Sequence, residues 1–369
     1  MALVDDYTAL SALTFWGQRL VTIVIGFSPI VANATEVAVV MRKISMVGGT
    51  GTSGFAWVTE HGSLSPTVDI VMSTFNGERY LAQQLDSILS QTFTDWRLIV
   101  RDDGSTDGTG AILESYRQCY PDKIQLLAAT SHLGVRESFS VLLQESTAPY
   151  TMFCDQDDVW SPFKIEKSVR VMQETEQTYS PMPLLIYTDL TIVDADLTIQ
   201  DRSFLHYQKS RPLTDFKSLL VTNTIAGCTI CMNERLRTLI GTIPDSAMMH
   251  DWWAGLVAAA FGRVIFVPES TVLYRQHSRN VVGAARRALS GVWFYHASGR
   301  WRQDLMVTHD HARAFLRQYE TCLPVPLARL IKDWACLPTR PFWVRKFLVL
   351  KHGIKRGSVL ASWVLLLLI

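Results

Sequence analysis

Hydrophobic and polar positions fall into a regular rhythm between Pro66 and Gly283. Val68 to Ser73 is a short apolar run that reads as a buried strand. Glu78 to Gln91 carries Leu81, Leu85 and Ile88 at helical spacing, so a helix with one apolar face is expected. Trp96 to Arg101 is again strand-like and ends on the turn signal Asp102, Asp103, Gly104, Ser105. Ile124 to Leu127, Glu137 to Gln144 and Tyr150 to Cys154 repeat strand, helix and strand. Strands alternating with helices predict an α/β fold, a mostly parallel sheet flanked by helices. Ligands of such sheets bind beyond the C-terminal strand ends. Three polar clusters sit at those ends: Ser73 to Asn76, Asp102 to Ser105, and Asp155 to Asp158.

The flanks read differently. Residues 1–65 are expected to be a poorly ordered or wrongly assigned N-terminal segment. Its apolar run Leu20 to Val31 is broken by Pro29 and imitates a signal peptide, and Met41 or Met46 is an alternative start. Gly49, Gly51 and Gly54 match a dinucleotide fingerprint, but only about a dozen residues separate them from the next strand. A flexible linker is the better reading. After Gln303 the chain predicts Arg- and Trp-rich helices, so residues 284–369 are expected to form a basic helical extension. Its basic collar, Lys351 to Arg356, precedes the apolar tail Val359 to Ile369. That tail is too short to span a bilayer but long enough to lie in its interface.

Charge sharpens this division. The whole chain of 369 residues carries a formal net charge of only +1, which argues against a dedicated nucleic-acid binder. From Val281 onward, 14 Lys and Arg stand against 4 Asp and Glu, so a basic segment follows an acidic body. Such a segment suits anionic lipid or an anionic acceptor, and equally a solvated helical face. Six unevenly spaced cysteines do not form a disulfide framework, and Cys228 with Cys231 read as core thiols of a cytosolic protein.

The chemistry concentrates in carboxylates. Asp155, Asp157 and Asp158 follow an apolar strand directly, and such a cluster repels itself unless a cation sits among its members. Mg²⁺ or Mn²⁺ takes hard oxygen ligands and bridges carboxylates to substrate phosphates. The turn at Asp102 and Asp103 offers acceptors to a base N–H or a ribose hydroxyl.

In order, these pieces resemble the family-2 glycosyltransferases. The opening Ile70 to Gly77 is followed by Gln84 to Thr92 and then Asp102 to Thr109. Asp155, Gln156, Asp157, Asp158, Val159, Trp160 come next, then His250 to Trp253 and Tyr274 to His277. The details are similar to a rhamnosyltransferase-like branch that builds bacterial surface polysaccharides. The resemblance covers about residues 66–283 and implies a GT-A domain there. It implies that Asp155 and Asp157 hold the metal on the donor diphosphate, with His277 closing the site. Asp102, with Asp103, would contact the base, and Thr74 and Asn76 would line the nucleotide pocket. Asp251 is the candidate general base, with a helix N-cap role as its plainer alternative. Trp160, Trp252 and Trp253 would offer faces to sugar rings or serve as core. His132 stands where relatives carry Asn.

The expected activity is inverting, metal-dependent transfer of a sugar from a nucleotide-diphosphate donor to a hydroxyl of a glycan or lipid-linked glycan. The preferred donor is dTDP-rhamnose, with UDP-hexose or UDP-N-acetylhexosamine as alternatives. Work at the inner face of the cytoplasmic membrane is expected. A pyrophosphorylase would need a Gly-rich basic phosphate loop after the first strand, which is absent. A non-catalytic glycan-binding scaffold should tolerate loss of Asp157 or Asp251.

Overall fold

The computed structural model describes two strands near the N-terminus, residues 66–128, 131–277 and 300–355, and residues 362, 365 and 366. The chain divides into two compact units, Met1–Phe55 and Ala56–Ile369. In the first, β1 (Leu13–Trp16) pairs antiparallel with β2 (Arg19–Thr22). The glycine-rich segment at Gly49 to Gly54 lies outside the described residues, as does most of the apolar tail.

The second unit is built on one mixed sheet. Its strands are β3 (Val68–Thr74), β4 (Trp96–Asp102), β5 (Ile124–Leu127), β6 (Tyr150–Cys154), β7 (Val159–Trp160), β8 (Leu184–Val193), β9 (Ile199–Asp201), β10 (Ile230–Asn233) and β11 (Arg263–Arg275). They lie in the order β5-β4-β3-β6-β10-β8-β11-β7, with β9 paired to β8. β3, β4, β5 and β6 run parallel, as the alternating rhythm predicts. β10 enters antiparallel between β6 and β8, and β7 pairs antiparallel with β11.

Period-two alternation sends β3 into two cores, and its one charged interruption, Asp69, is buried and paired with Arg97 at 2.9 Å. Val71 points into one core with Ile99, Phe139 and Phe153, while Val68, Ile70 and Met72 point into the other. A strand covered on both sides reads as a continuous apolar run. The first helices are α1 (Leu81–Leu89), α2 (Thr109–Cys119), α3 (Val135–Glu145) and α4 (Lys164–Tyr179). After them come α5 (Phe204–Tyr207), α6 (Phe216–Leu219), α7 (Glu234–Ile240) and α8 (His250–Phe261).

The C-terminal region is helical as predicted: α9 (Arg300–Tyr319), α10 (Val325–Ala335) and α11 (Phe342–His352). These helices share a core with α8. The ring of His311 stacks on Trp253 at 5.2 Å, and Phe315 and Tyr319 close around the same indole. Among the described residues, no helix is long and apolar enough to cross a membrane.

The chain leaves β3 for β4 and β5 on one side and returns to β6 on the other. The strand order therefore reverses beside β3, and the crevice of an open α/β sheet opens at such a point. Thr74, Asp102 and Cys154 all end strands on that one edge.

Candidate active site

Three loops leave this edge and are tied to one another. Gln156 reaches across from the loop after β6, accepting the Phe75 N–H (2.9 Å) and donating to the Phe75 carbonyl (3.0 Å). A Cβ at Gly77 would stand 2.3 Å from the Gln156 Oε1, so glycine is what lets this amide lie against the backbone. Asn76 sits in the left-handed region at φ 48°. Its side-chain oxygen accepts from the Thr106 N–H at 2.8 Å, and its own N–H donates to Ser105. Asn76 thus joins the first loop to the second.

The two adjacent aspartates of the second loop divide their work. Asp102 accepts from the Thr74 hydroxyl (2.8 Å) and the Ser105 hydroxyl (2.6 Å) and stays partly exposed at the cleft. Thr74 itself is buried, so it orients Asp102 and does not line a pocket. Gly104 turns the chain at φ 87° directly afterwards, a backbone state that glycine adopts without strain. Asp103 departs from its expected role. It is buried in an ion pair with Arg101, accepts the Leu133 and Gly134 N–H groups at 2.7 Å each, and is not placed to meet a base. Burial opposes its ionisation, but these donors and the guanidinium win and hold its carboxyl below the usual value.

Beside Asp102 lies a feature that periodicity alone did not reveal. Phe75, 45% exposed, packs its ring 4.8 Å from that of His132. His132 Nδ1 meets the Asp103 carbonyl at 2.8 Å, so it occupies the expected Asn position while bonding backbone. The two rings, tilted 50° to each other, offer an aromatic ledge on the loops that flank Asp102 and Asp103.

The third loop carries the acidic cluster, and two register effects complete it. β7 pairs Val159 with Leu273 and Trp160 with Val272, which delivers the end of β11 to the aspartates. Buried Arg275 then donates its side-chain Nε to the Asp157 carbonyl (2.8 Å) and its backbone N–H to Asp158 Oδ1 (3.1 Å). His277 Nε2 meets Asp157 Oδ2 at 2.8 Å, and its ring stacks on Tyr80 at 4.9 Å. On the other side, β10 pairs Cys231 with Met152 in antiparallel register, so Cys228 falls level with Asp155. One ligand atom each from Asp155, Asp158 and Cys228 lies within 4.8 Å of the others. Neither Arg275 nor Cys228 stood out as a site residue in the sequence. Their proximity is set by strand pairing across many residues, which local pattern does not encode.

The fourth contribution is α8. Asp251 was weighed as a helix N-cap, but Met249 holds that position. Asp251 lies in the first turn, accepting the Trp252 N–H at 2.5 Å and a backbone N–H from Gly227. Its neighbour His250 is buried, with its ring stacked 3.9 Å from Phe139 and edge-on to Phe153. The expected sugar-stacking role of the tryptophans is corrected too. Trp160, Trp252 and Trp253 are 2%, 7% and 0% exposed and belong to the core, so none presents a face to a sugar ring.

The electrostatics of the cleft are unusual. Burial, with the nearby Asp157 and Asp251 carboxylates, pushes Asp155 up to about 7. Burial also pushes Asp251 up to about 7, against the pull of its backbone donors. Asp158 is raised well above its ordinary value by burial and by Asp157 and Asp155. A pocket of crowded carboxylates that resist ionisation is what a divalent cation relieves. Asp155, Asp157 and Asp158, with imidazole and thiol beside them, fit such a group.

The fold and this edge define the class, a GT-A-like α/β sheet with C-terminal helices. Among solved structures, the chain is similar to the mannosyltransferase PcManGT from Pyrobaculum calidifontis in complex with GDP-Man and Mn²⁺. The TM-score is 0.50 at 18% identity, over 81% of this chain and 78% of that one. Residues 69–189 match the family model for glycosyl transferase family 2. That match spans 121 of the 369 residues. The chain is 26% identical over 231 residues to TuaG of Bacillus subtilis, a glycosyltransferase assigned by name to teichuronic acid biosynthesis, covering 62% of this chain and 86% of that protein. It is 28% identical over 230 residues to the dTDP-rhamnosyl transferase RfbG of Shigella flexneri, covering 58% of this chain and 74% of that protein.

Proposed function

We infer that the protein transfers a sugar, with inversion, from a nucleotide-diphosphate donor to a hydroxyl of a glycan or lipid-linked glycan. The observation that carries this is the meeting of Asp251 with the Asp155, Asp157 and Asp158 cluster at the sheet's switch point. One carboxylate faces three that suit a cation, and Asp251, raised to about 7, has the proton affinity a general base needs near neutral pH.

Asp102 and the Phe75 ledge take the nucleoside, and the loop at Asp155 to Asp158 receives the diphosphate. Asp155 and Asp157, with His277, would hold Mg²⁺ or Mn²⁺, which supplies charge neutralisation on the leaving diphosphate. The Asp251 carboxylate accepts the acceptor hydroxyl's proton as that oxygen bonds to the sugar's C1 from one face. The bond from C1 to the diphosphate breaks on the other face, and its electron pair leaves on the diphosphate oxygen. A single displacement of this kind needs no second nucleophilic carboxylate, and it inverts the anomeric carbon. The donor we favour is dTDP-rhamnose, supported by the motif detail at Asp155 to Trp160 and by similarity to a protein named as a dTDP-rhamnosyl transferase.

The test is thermal stabilisation of the purified chain by dTDP, UDP and GDP, each with and without Mn²⁺. A ligand at a hundredfold excess over its Kd adds about 2.7 kcal/mol. Metal-dependent stabilisation by dTDP is expected, and it should disappear in Asp157→Ala. Stabilisation by UDP alone would overturn rhamnose but keep the class. In Asp251→Asn turnover should fall on the order of 100-fold or more while stabilisation by the nucleotide persists. Wild-type turnover there would remove Asp251 as the base.

A further inference from the structure

We propose that α11 (Phe342–His352) is a docking surface for anionic phospholipid, holding the protein flat against a bilayer. This goes beyond the sugar-transfer reading and would outlive its failure, because vesicle binding requires no turnover.

Helix α11 is apolar on two faces. Leu348 and Val349 are buried in the core that also takes α10. On the opposite face Trp343 is 72% exposed, Phe347 61% and Leu350 64%, at the i, i+4, i+7 spacing of a single stripe. Phe342, 59% exposed, widens it. An amphipathic surface helix normally turns its solvent side polar, so this stripe needs cover from outside the described residues.

What covers it is indicated by the charges around it. Between Arg340 and Arg356 the sequence has six Lys and Arg and no Asp or Glu. Lys346 lies over the Phe342 ring at 4.2 Å, and among the described residues it forms no ion pair. Asp333 of α10 is engaged by His352 at 2.8 Å and by Lys351 at 3.9 Å, which leaves Lys346 as the lysine of α11 that sits on the apolar stripe. A protein partner reading this patch would need acidic groups interleaved with hydrophobic ones at lysine spacing. An anionic bilayer offers both without any register, phosphates for the lysines and acyl chains for the rings. Eleven residues of helix span only about 16 Å, far less than a bilayer's hydrocarbon, so the helix lies in the interface and does not cross it. The sequence alone placed membrane contact at the collar and tail from Lys351 onward; the structure assigns the leading contact to the turn before them.

The experiment is co-sedimentation of the full chain with phosphatidylcholine vesicles, with and without phosphatidylglycerol, at low and high salt. Binding is expected only when phosphatidylglycerol is present, and it should weaken with salt. Trp343→Ser combined with Phe347→Ser should lower the partition coefficient on the order of 100-fold. Both side chains face solvent, so circular dichroism and Tm should not change. Lys346→Glu should weaken the preference for phosphatidylglycerol. Absence of wild-type binding to anionic vesicles would overturn the proposal. So would undiminished binding by the folded Trp343/Phe347 variant, because another segment would then carry the contact. A wild-type dimer in light scattering that the same variant loses would assign the stripe to a second copy and equally refute it.

Discussion

Gly227→Ala tests whether the base is positioned by packing. Gly227 opens the short 3₁₀ turn before β10, and its N–H is one of the donors to Asp251. A Cβ there would stand 2.9 Å from His250 Nε2 and 3.6 Å from the Asp251 Cβ. To restore ordinary van der Waals contact, His250 must retreat by about 0.5 Å. It cannot do so by rotating, because Phe139 stacks on one face of its ring and Phe153 meets it edge-on. The start of α8 must therefore move, and Asp251 with it.

Overpacking of this kind costs about 1–3 kcal/mol, which in a domain of this size lowers Tm by roughly 2–10 °C. The catalytic loss is expected on top of the stability loss, because a displacement of about 1 Å at a reacting group costs about 100-fold and the roughly 0.5 Å required here on the order of 10-fold. The assay is steady-state transfer with Mn²⁺ and excess donor, read beside a melting curve. The expected result is a fall in kcat with KM for the donor little changed, since the loops at Asp102 and Gln156, proposed to take the nucleotide, are on other elements. Wild-type kcat in a protein whose Tm has dropped would refute the argument that Gly227 sets the carboxylate. A parallel loss of donor affinity would refute the separation of the two halves of the site.

The adjacent aspartates should separate by phenotype. Asp102→Ala should weaken nucleotide-dependent stabilisation with little change in the Tm of the free protein. Asp103→Ala leaves Arg101 buried without its carboxylate and should cost about 3–5 kcal/mol in a denaturant titration; equal Tm losses would undo this division. Acid sensitivity should follow His311, buried with no hydrogen-bond partner for either nitrogen among the described residues and pushed down to about 3. A folded value below the ordinary 6.5 means that the unfolded state binds the proton first, so stability falls as pH drops below about 6.5. Asp155 and Asp251, raised to about 7, titrate in the opposite sense, so the histidine's share is read as wild type minus His311→Leu. That difference should grow by about 3 kcal/mol between pH 6.5 and 4, at 1.36 kcal/mol per unit, and a difference independent of pH would exclude the assignment.

What could be read without coordinates was whatever is local. β3, β5 and β6 follow from apolar runs bounded by turn residues, and the motif loops follow because a parallel sheet must open at its C-terminal edge. The acidic cluster was legible because carboxylates at i, i+2 and i+3 have few other uses beside an apolar strand. The roles of Asp102 and Asp103 were not separable: side chains alternate along a strand's end, and only the position of Arg101 and the loop at Leu133 decides which one turns inward. Which of the two roles open to the tryptophans they take, sugar face or core, was undecided for a related reason. Trp252 and Trp253 sit beside Asp251 in sequence, but a helix rotates its neighbours about 100° apart. The carboxylate reaches the cleft while the indoles meet α6, α9 and the core. Gln156, Gly227, Cys228 and Arg275 act through partners up to 192 residues away in sequence, as between Arg275 and Gln83. No window of residues carries that information.

The sequence divided the chain near Gly283, between a catalytic domain and an extension, and the packing of α8 argues that the two sides depend on each other. Trp253 is 0% exposed because His311, Phe315 and Tyr319 of α9 surround it, and the Trp252 ring NH donates to the Leu219 carbonyl. The helix whose first turn presents Asp251 is thus anchored two residues later by the region that resembles no motif. The same helices carry α11, whose outward stripe of Trp343, Phe347 and Leu350 faces away from that core. A contact made by α11 with a surface is therefore made by an element in the same packed core as α8, which carries Asp251. If a lipid-linked acceptor approaches along that surface, the extension that seats the enzyme also fixes the frame in which Asp251 meets the acceptor hydroxyl.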